Sequence, residues 1–383
     1  MTQDSAIWIE SEHDLSRLSS RLKSVEIYSL DTEFHRERTY YPQLALMQIN
    51  VEGAIYLVDT TKIDSAAIAE LLDNEALVLL HAAQQDLDVL QLVCDTKLAR
   101  IFDTQIAAGF VGYSTPSLSA LVQRELGISL PKGDRLTDWL RRPLSDDQRS
   151  YAAADVEHLP ALYESITTQL RESGRVSWAQ DACDELAARP SSLIEPERAW
   201  LRIKDVRTLK PRSRGVAQAV AQWREERAQR LNIPVRQVLA DLALLGIAQR
   251  APRTVEELGQ ARGVDGRYTK GSIAEEILRA VERGREVEAE FPRNDVEEFD
   301  RDLRPAATLM SAWISEVATR ERIEVALLGT RADIIDYLRG VTSARLRRGW
   351  RAEVLGSDLD DLVSGQAGIA FDGSGGLRLL RPE

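Results

Sequence analysis

VEIYSLDTEFHRERTYYPQLALMQI, residues 25–49, is the stretch whose reading decides the fold. Its two ends, VEIYSLD at 25–31 and QLALMQI at 43–49, have the β-branched and apolar character of strands. AIYLVD at 54–59 and LVLLHA at 77–82 are a third and a fourth run of the same kind. Asp31 and Glu33 then stand two residues apart near a strand end, and the period of two puts both carboxylates on one face.

Working outward, Asp86 in HAAQQDLDVL follows the fourth run by a few residues and opens the next helix. Over 146–168, DDQRSYAAADVEHLPALYESITT, three alanines and periodic apolar residues predict a helix that Pro160 interrupts or kinks. Tyr151 and Asp155 are then one turn apart on one side of it. Strand end, helix start and helix face can converge on one point. Carboxylates crowded into one cleft repel one another and raise their own pKa values unless cations compensate, so the cluster makes sense as a cage for hard divalent metals. That chemistry points to metal-assisted phosphodiester hydrolysis. Each piece alone has a plainer reading. An Asp-x-Glu pair is common in solvated turns, a first-turn Asp suits a helix dipole, and a Tyr on an amphipathic helix commonly packs. Asp103 in IFDTQ is open to two readings, ligand or helix cap.

The order and spacing of these blocks resemble the ribonuclease D family, 3′-5′ exoribonucleases of the DEDD superfamily in the subgroup whose last motif is Tyr-x-x-x-Asp. The likeness is carried by LDTEFHRERTYYPQLALMQI (30–49), HAAQQDLDVL (81–90), FDTQIAA (102–108), TDWLRRPL (137–144) and YAAADVEHL (151–159). By position it implies a metal-binding tetrad of Asp31, Glu33, Asp86 and Asp155, with Tyr151 placing the attacking water. The family scheme implies two divalent ions, Mg²⁺ or Mn²⁺. Asp31 would bridge them, Glu33 and Asp155 would complete the site of the nucleophilic metal, and Asp86 would act on the second metal through its water shell. Phe34, His35 and Gln43 are candidates for holding the terminal nucleotides. His81 reads as a supporting or core residue, and Trp139 as packing for the loop that leads to Tyr151. The implied fold is an α/β ribonuclease H-like exonuclease domain with a mixed sheet, followed by two all-α HRDC-like helical bundles.

The chain has 383 residues, 44% of them hydrophobic, and a net charge of -12. Length predicts two or three domains, and no window approaches the roughly 20 apolar residues of a membrane span. Cys94 and Cys183 are the two cysteines, too few for a disulfide framework or a cysteine zinc site. The cytoplasm is the default compartment, and a monomer the expected state. The charge is unevenly spread: residues 1–200 carry net -14, 201–250 net +7 and 251–383 net -5. Lys204, Arg207, Lys210, Arg212 and Arg214 crowd the junction, followed by Arg224, Arg227 and Arg230 along a helix. They are candidate RNA phosphate contacts, the alternative being a solvated linker and helix face.

The division of the chain follows: an exonuclease domain over 1–170, a helical bridge and linker over 171–212, a first HRDC-like domain over 213–290 and a second over 291–383. PRSRG at 211–215 reads as a linker. VAQAVAQWREERAQRLNIPVRQVLADLALLGIAQ then reads as two or three short helices, the first ending near Asn232, and TVEELGQARGV carries a Thr254 cap. The WREER run at 223–227 with its Asn-Ile-Pro turn resembles the HRDC module. An acidic connector, 286–302, precedes a weaker copy, AATLMSAWISEVATRERIEVALLGTRADIIDYLRG, and an extended tail, GIAFDGSGGLRLL. Trp223 and Trp313 read as bundle core rather than base-stacking platforms. No G-x-x-x-x-G-K-S/T occurs, which disfavours an ATP-driven helicase. The resemblance implies an RNA partner with an accessible 3′ end, tRNA precursors among them, release of nucleoside 5′-monophosphates, no ATP and no membrane. A chain ending at 210 is expected to bind tRNA-like substrates more weakly, with a flatter salt dependence, and to keep some hydrolysis of short single strands. A DNA exonuclease of the same superfamily and a catalytically silent RNA-binding adaptor stay open as alternatives.

Overall fold

The computed structural model describes residues 6–131, 137–190, 192–291 and 302–381. The described residues form two compact units. One holds those of 1–33, 44–190 and 295–383, the other those of 34–43 and 191–294.

The first unit is built on a six-stranded sheet in the order β1-β4-β3-β2-β5-β6. Its strands are β1 (Ile7–Ile9), β2 (Ile27–His35), β3 (Gln43–Val51), β4 (Ala54–Val58), β5 (Leu77–Leu80) and β6 (Arg100–Asp103). β1 runs parallel to β4, β3 pairs antiparallel with β4, and β2, β5 and β6 are mutually parallel, so the sheet is mixed as expected. The β3–β4 hairpin turns through Glu52 and Gly53, both at positive φ, the backbone pair that a two-residue hairpin of matching twist demands. Two of the six strands, β1 and β6, are too short for alternation to mark them in sequence. β2 is longer than expected, so Asp31 and Glu33 lie inside a strand rather than at its end.

Helices α1 (Glu12–Leu22), α2 (Ser65–Leu72), α3 (Gln84–Cys94), α4 (Thr104–Ala108) and α5 (Leu118–Leu126) follow the strands. The predicted 146–168 helix is two, α6 (Asp146–Glu157) and α7 (Leu159–Glu172), with His158 between them and Pro160 in the first turn of the second. The helical run is thus interrupted as expected, the proline starting the second helix rather than kinking a continuous one. α8 (Val176–Ala187) lies along β6: the Gln180 amide donates to the Ile101 carbonyl at 3.4 Å, and the Asp103 N–H donates to Cys183 Sγ at 3.3 Å.

In the second unit, short 3₁₀ turns at Pro196–Arg202 and Val206–Thr208 lead into α9 (Pro211–Leu231), then α10 (Val235–Val238), α11 (Asp241–Arg250), α12 (Val255–Gly259) and α13 (Gly271–Arg285). The PRSRG linker expected at 211–215 is instead the first turn of α9, with Pro211 at its first position. Gly215 is there because α9 and the end of α13 touch backbone to backbone. A Cβ on it would stand 2.0 Å from the Val287 carbonyl oxygen. A glycine that reads as a chain break from composition is thus a packing residue.

The second helical module comprises α14 (Arg304–Glu321), α15 (Val325–Leu328), α16 (Arg331–Leu338), α17 (Gly349–Leu355) and α18 (Asp358–Ser364), closed by a hairpin of β7 (Gly368–Phe371) and β8 (Leu377–Leu380). It shares the first unit with the sheet, and its apolar residues join one cluster with those of the exonuclease region. Trp350 stacks on Trp178 at 5.5 Å and meets Phe110 edge-on at 4.9 Å. Arg175 donates to the carbonyls of both Phe110 and Glu321, and the Glu324 N–H donates to the Gly109 carbonyl at 2.7 Å. Most of the acidic connector, from 292 to 301, lies outside the described residues. Trp223 and Trp313 are both buried, as expected, their indole N–H groups donating to Glu276 and Asp358. Both cysteines are buried free thiols. Among the described residues no helix is long and apolar enough to cross a membrane.

Candidate active site

β2 presents Asp31 and Glu33 on one face, and α6 brings Asp155 to them. One carboxylate oxygen from each of the three lies within 4.8 Å of the others. Tyr151, one turn before Asp155, hydrogen-bonds to its carboxylate. The helix is placed from both ends. Ser145 and Gln148 form a reciprocal capping box at its start, satisfying two backbone donors that would otherwise be orphaned. At its finish the Asn50 amide, from β3, donates to the carbonyls of Val156 and Glu157. The incoming loop is pinned by Arg142, which pairs with both Asp59 oxygens at 2.7 Å and donates to the Ala45 carbonyl. Trp139 lies against Tyr151 at 6.1 Å between ring centroids, within a small cluster with Leu46, Leu57, Leu144 and Ala152.

Asp86 arrives from the next strand. β5 ends at Leu80, and Ala82 adopts a left-handed φ of 56°. Asp103 explains how that turn holds. Its carboxylate accepts from the N–H groups of Ala82, Ala83, Gln105 and Ile106, so it caps α4 and at the same time anchors the chain entering α3. This decides the two readings of Asp103 in favour of the cap. α3 then carries Asp86 in its first turn, where one of its oxygens accepts from the Thr32 hydroxyl. Thr32 sits between Asp31 and Glu33, so the bond ties Asp86 to the strand bearing the pair. Asp86 is outside the closest trio yet near enough to perturb it. His81 supports the same turn, bonding Thr104 Oγ1 at 2.9 Å and the Pro116 carbonyl at 3.1 Å.

Burial and mutual repulsion dominate the electrostatics of the acidic pocket. Burial first, then repulsion from Asp86, Asp155 and Glu33, holds the Asp31 carboxyl well above the usual range. Burial and the charges of Asp155 and Asp86 push Glu33 up to about 8. Asp155 is pushed up to about 7, chiefly by burial and Asp86. Asp86 is raised to about 6, burial outweighing the Thr32 hydrogen bond that favours its charged form. Burial and the neighbouring carboxylates also raise the Tyr151 phenol, which stays a hydrogen-bond donor at neutral pH. The donor set is all oxygen, it is held by two different elements, and its charge needs a partner. Such a set fits a hard divalent cation.

The other candidates divide. Phe34 and His35 are half-buried and Gln43 is exposed on the segment that continues β2 into β3. Lys204, Arg207, Lys210 and Arg212 are exposed. Arg207 and Arg214 both lie over the Phe291 ring, at 5.3 and 4.7 Å. Arg224 is not a phosphate contact: it is 4% exposed, pairs with Asp241 at 2.6 Å and donates to the Leu239 carbonyl. Arg227 is likewise committed within the bundle, donating to both oxygens of Glu276, which also holds Trp223. Helix periodicity shows that an arginine lies on a given face; it does not show that a buried carboxylate waits there. Sequence reasoning misses Asn50, Asp59 and Arg142 as supports, since each is engaged across 83 residues or more with groups that carry no local signature.

The fold and the order of its modules are shared with known proteins. The model of the 3′-5′ exonuclease family matches residues 6–171, and that of the HRDC domain matches 213–281. Ribonuclease D of Jannaschia sp. is 35% identical over 95% of this chain and 97% of its own length. Ribonuclease D of Gluconacetobacter diazotrophicus is 33% identical over 96% and 95%. The crystal structure of Escherichia coli RNase D, described as an exoribonuclease involved in structured RNA processing, superposes with a TM-score of 0.82 at 28% identity, covering 94% of this chain and 99% of that one. With the sheet, the acidic cleft and the helical modules in place over nearly its whole length, the chain belongs to the ribonuclease D family.

Proposed function

We propose that this protein is a divalent-metal-dependent 3′-5′ exoribonuclease that trims the 3′ ends of tRNA precursors and other small structured RNAs, releasing nucleoside 5′-monophosphates. The observation that carries the reading is the convergence of Asp31, Glu33 and Asp155 within 4.8 Å, with Asp86 tied in through Thr32. Two ions, Mg²⁺ or Mn²⁺, would supply the activated water and the charge to stabilise the leaving 3′-oxygen. The rest falls to the chain. Asp31, Glu33 and Asp155 would hold the cations, and Asp86, tied to β2 through Thr32, would act through ordered water. Tyr151 orients the attacking water by hydrogen bonding, because its raised pKa bars it from serving as a strong base at neutral pH. Exposed Lys204, Arg207, Lys210 and Arg212 give salt-sensitive, sequence-tolerant attraction to RNA, which suits an enzyme that accepts many ends. Phe34, His35 and Gln43, which follow Glu33 in the chain, meet the terminal nucleotides. A cytoplasmic monomer completes the reading.

The test is a degradation assay with 5′-labelled RNA and DNA, first with Mg²⁺ or Mn²⁺ and then with chelator. Stepwise shortening of RNA from the 3′ end, stopped by chelator, is the expected result. Preferential digestion of DNA, or binding of RNA without cleavage in the presence of metal, would overturn the reading.

A further inference from the structure

The stretch that follows Glu33 is neither a regular strand throughout nor a solvent loop without anchorage. Residues 34–43 pack in the compact unit of the first helical module, although both flanking strands belong to the sheet. Three hydrogen bonds make the attachment. Tyr40 donates its hydroxyl to Glu225 Oε1 at 2.6 Å and accepts from the Gln229 amide at 3.0 Å. The Tyr41 N–H donates to Asn232 Oδ1, also at 3.0 Å. Glu225 and Gln229 are one turn apart on α9, and Asn232 is its left-handed cap. Tyr40 packs against the apolar cluster of this module and meets Tyr41 edge-on at 5.0 Å. Glu225 is only 3% exposed, so the phenol satisfies a carboxylate that burial would otherwise penalise.

Between Glu33 and this anchor lie Arg36, Glu37 and Arg38, all exposed, with Arg36 over the Phe34 ring at 5.1 Å. A solvated turn needs no anchored tyrosine at one end. A segment that must present its cations at a fixed place does, because an ordered cation meets a phosphate without losing conformational entropy on binding. We propose that residues 34–43 form a phosphate-binding rest for the RNA strand, with Arg36 and Arg38 as its cations and Tyr40 as the positioning residue by which the first helical module holds it. The idea builds on the exoribonuclease reading. The first helical module then has a second task besides attracting RNA through its own lysines and arginines: it fixes a segment continuous with the strand that carries Asp31 and Glu33.

The experiment compares full-length wild type with Tyr40→Phe, Glu225→Gln and the double variant Arg36→Ala/Arg38→Ala on two substrates, an oligoribonucleotide and bis(p-nitrophenyl) phosphate, a small diester whose single phosphate is the one hydrolysed. Wild-type hydrolysis of the oligoribonucleotide with metal is established first. Its absence defeats the exoribonuclease reading itself and is distinguishable from every outcome below. Tyr40→Phe keeps the ring and removes the hydroxyl. It is expected to raise KM for the oligoribonucleotide about tenfold, leave kcat within about twofold, and leave the small diester unchanged. Glu225→Gln retains an acceptor for the phenol and is expected to keep KM within about twofold. The double arginine variant should raise KM similarly and lower the slope of log affinity against log salt by about 0.7 for each phosphate that is no longer neutralised. Adding Tyr40→Phe to it should then change little, since the anchor has nothing left to position. Unchanged KM in Tyr40→Phe with a thermal midpoint like wild type would overturn the proposal. So would equal losses on both substrates, which would make Tyr40 a support of the acidic cleft rather than of the rest.

Discussion

Asp31, Glu33, Asp86 and Asp155 are destabilising as long as they lack cations, and this has measurable signs. A carboxyl whose folded pKa is raised above its unfolded value of about 4 favours the fold fully only below that value, and its contribution is lost as pH rises through the folded pKa. With Asp86 at about 6, Asp155 at about 7 and Glu33 at about 8, metal-free protein should lose thermal stability between pH 4 and 8, and Mn²⁺ should restore it at pH 8. A thermal midpoint that is flat over this range without metal would contradict the raised values. The same groups must release protons to take up a cation, so Mn²⁺ affinity measured by titration calorimetry should strengthen from pH 6 to 8. Asp155→Asn should abolish hydrolysis yet raise the metal-free midpoint at pH 8, by about 2–4 °C for each kcal/mol of repulsion relieved. At this scale the carboxylates are legible through the order and spacing of the blocks that carry them, since each alone has a plainer reading. Asp103 is not decided by sequence, since a cap and a ligand ask for the same residue type after the same kind of strand.

Among the elements, the turn between β5 and α3 matters most for the site, and one residue holds it. Asp103 accepts four backbone N–H groups from two segments, so Asp103→Ala leaves donors on both without a partner. The expected cost is about 1–3 kcal/mol, read as a shift in the denaturation midpoint. Because α3 carries Asp86, activity should fall as well, although no proposed ligand has been changed. Full activity at lowered stability would show that Asp86 does not depend on this turn. Alanine content with periodic apolar residues locates the 146–168 helical region, and the position just after the fourth apolar run locates α3. Such signals fail at β1 and β6, of three and four residues, and at 211–215, where proline and glycine have the composition of a linker. Gly215 is required by the close approach of α9 to the end of α13, and that is a property of two segments far apart in the chain.

Taken as a whole molecule, the two helical modules are not equivalent. The first, with residues 34–43, forms its own compact unit, while the second shares an apolar cluster with the exonuclease region through Phe110, Trp178 and Trp350. That shared core predicts, against the expectation of some residual hydrolysis of short strands, that a chain ending at 210 loses its activity. Removing residues 302–383 strips Trp350 from Trp178 and Phe110, and Trp350→Ala alone should cost about 3–5 kcal/mol. Truncated protein should be poorly soluble or partly unfolded by circular dichroism and hydrogen exchange; a stable, active truncation would show the shared core to be dispensable. Sequence repetition suggests two like bundles because it reports each module's internal pattern, Trp223 and Trp313 included, and is silent on what the module packs against. The proposition beneath all of this is that Asp31, Glu33 and Asp155 jointly hold divalent metal. Its most direct measurement is a crystal structure with Mn²⁺, in which the anomalous signal should place an ion among these three carboxylates. Manganese density elsewhere, with the three left without a cation, would contradict the account.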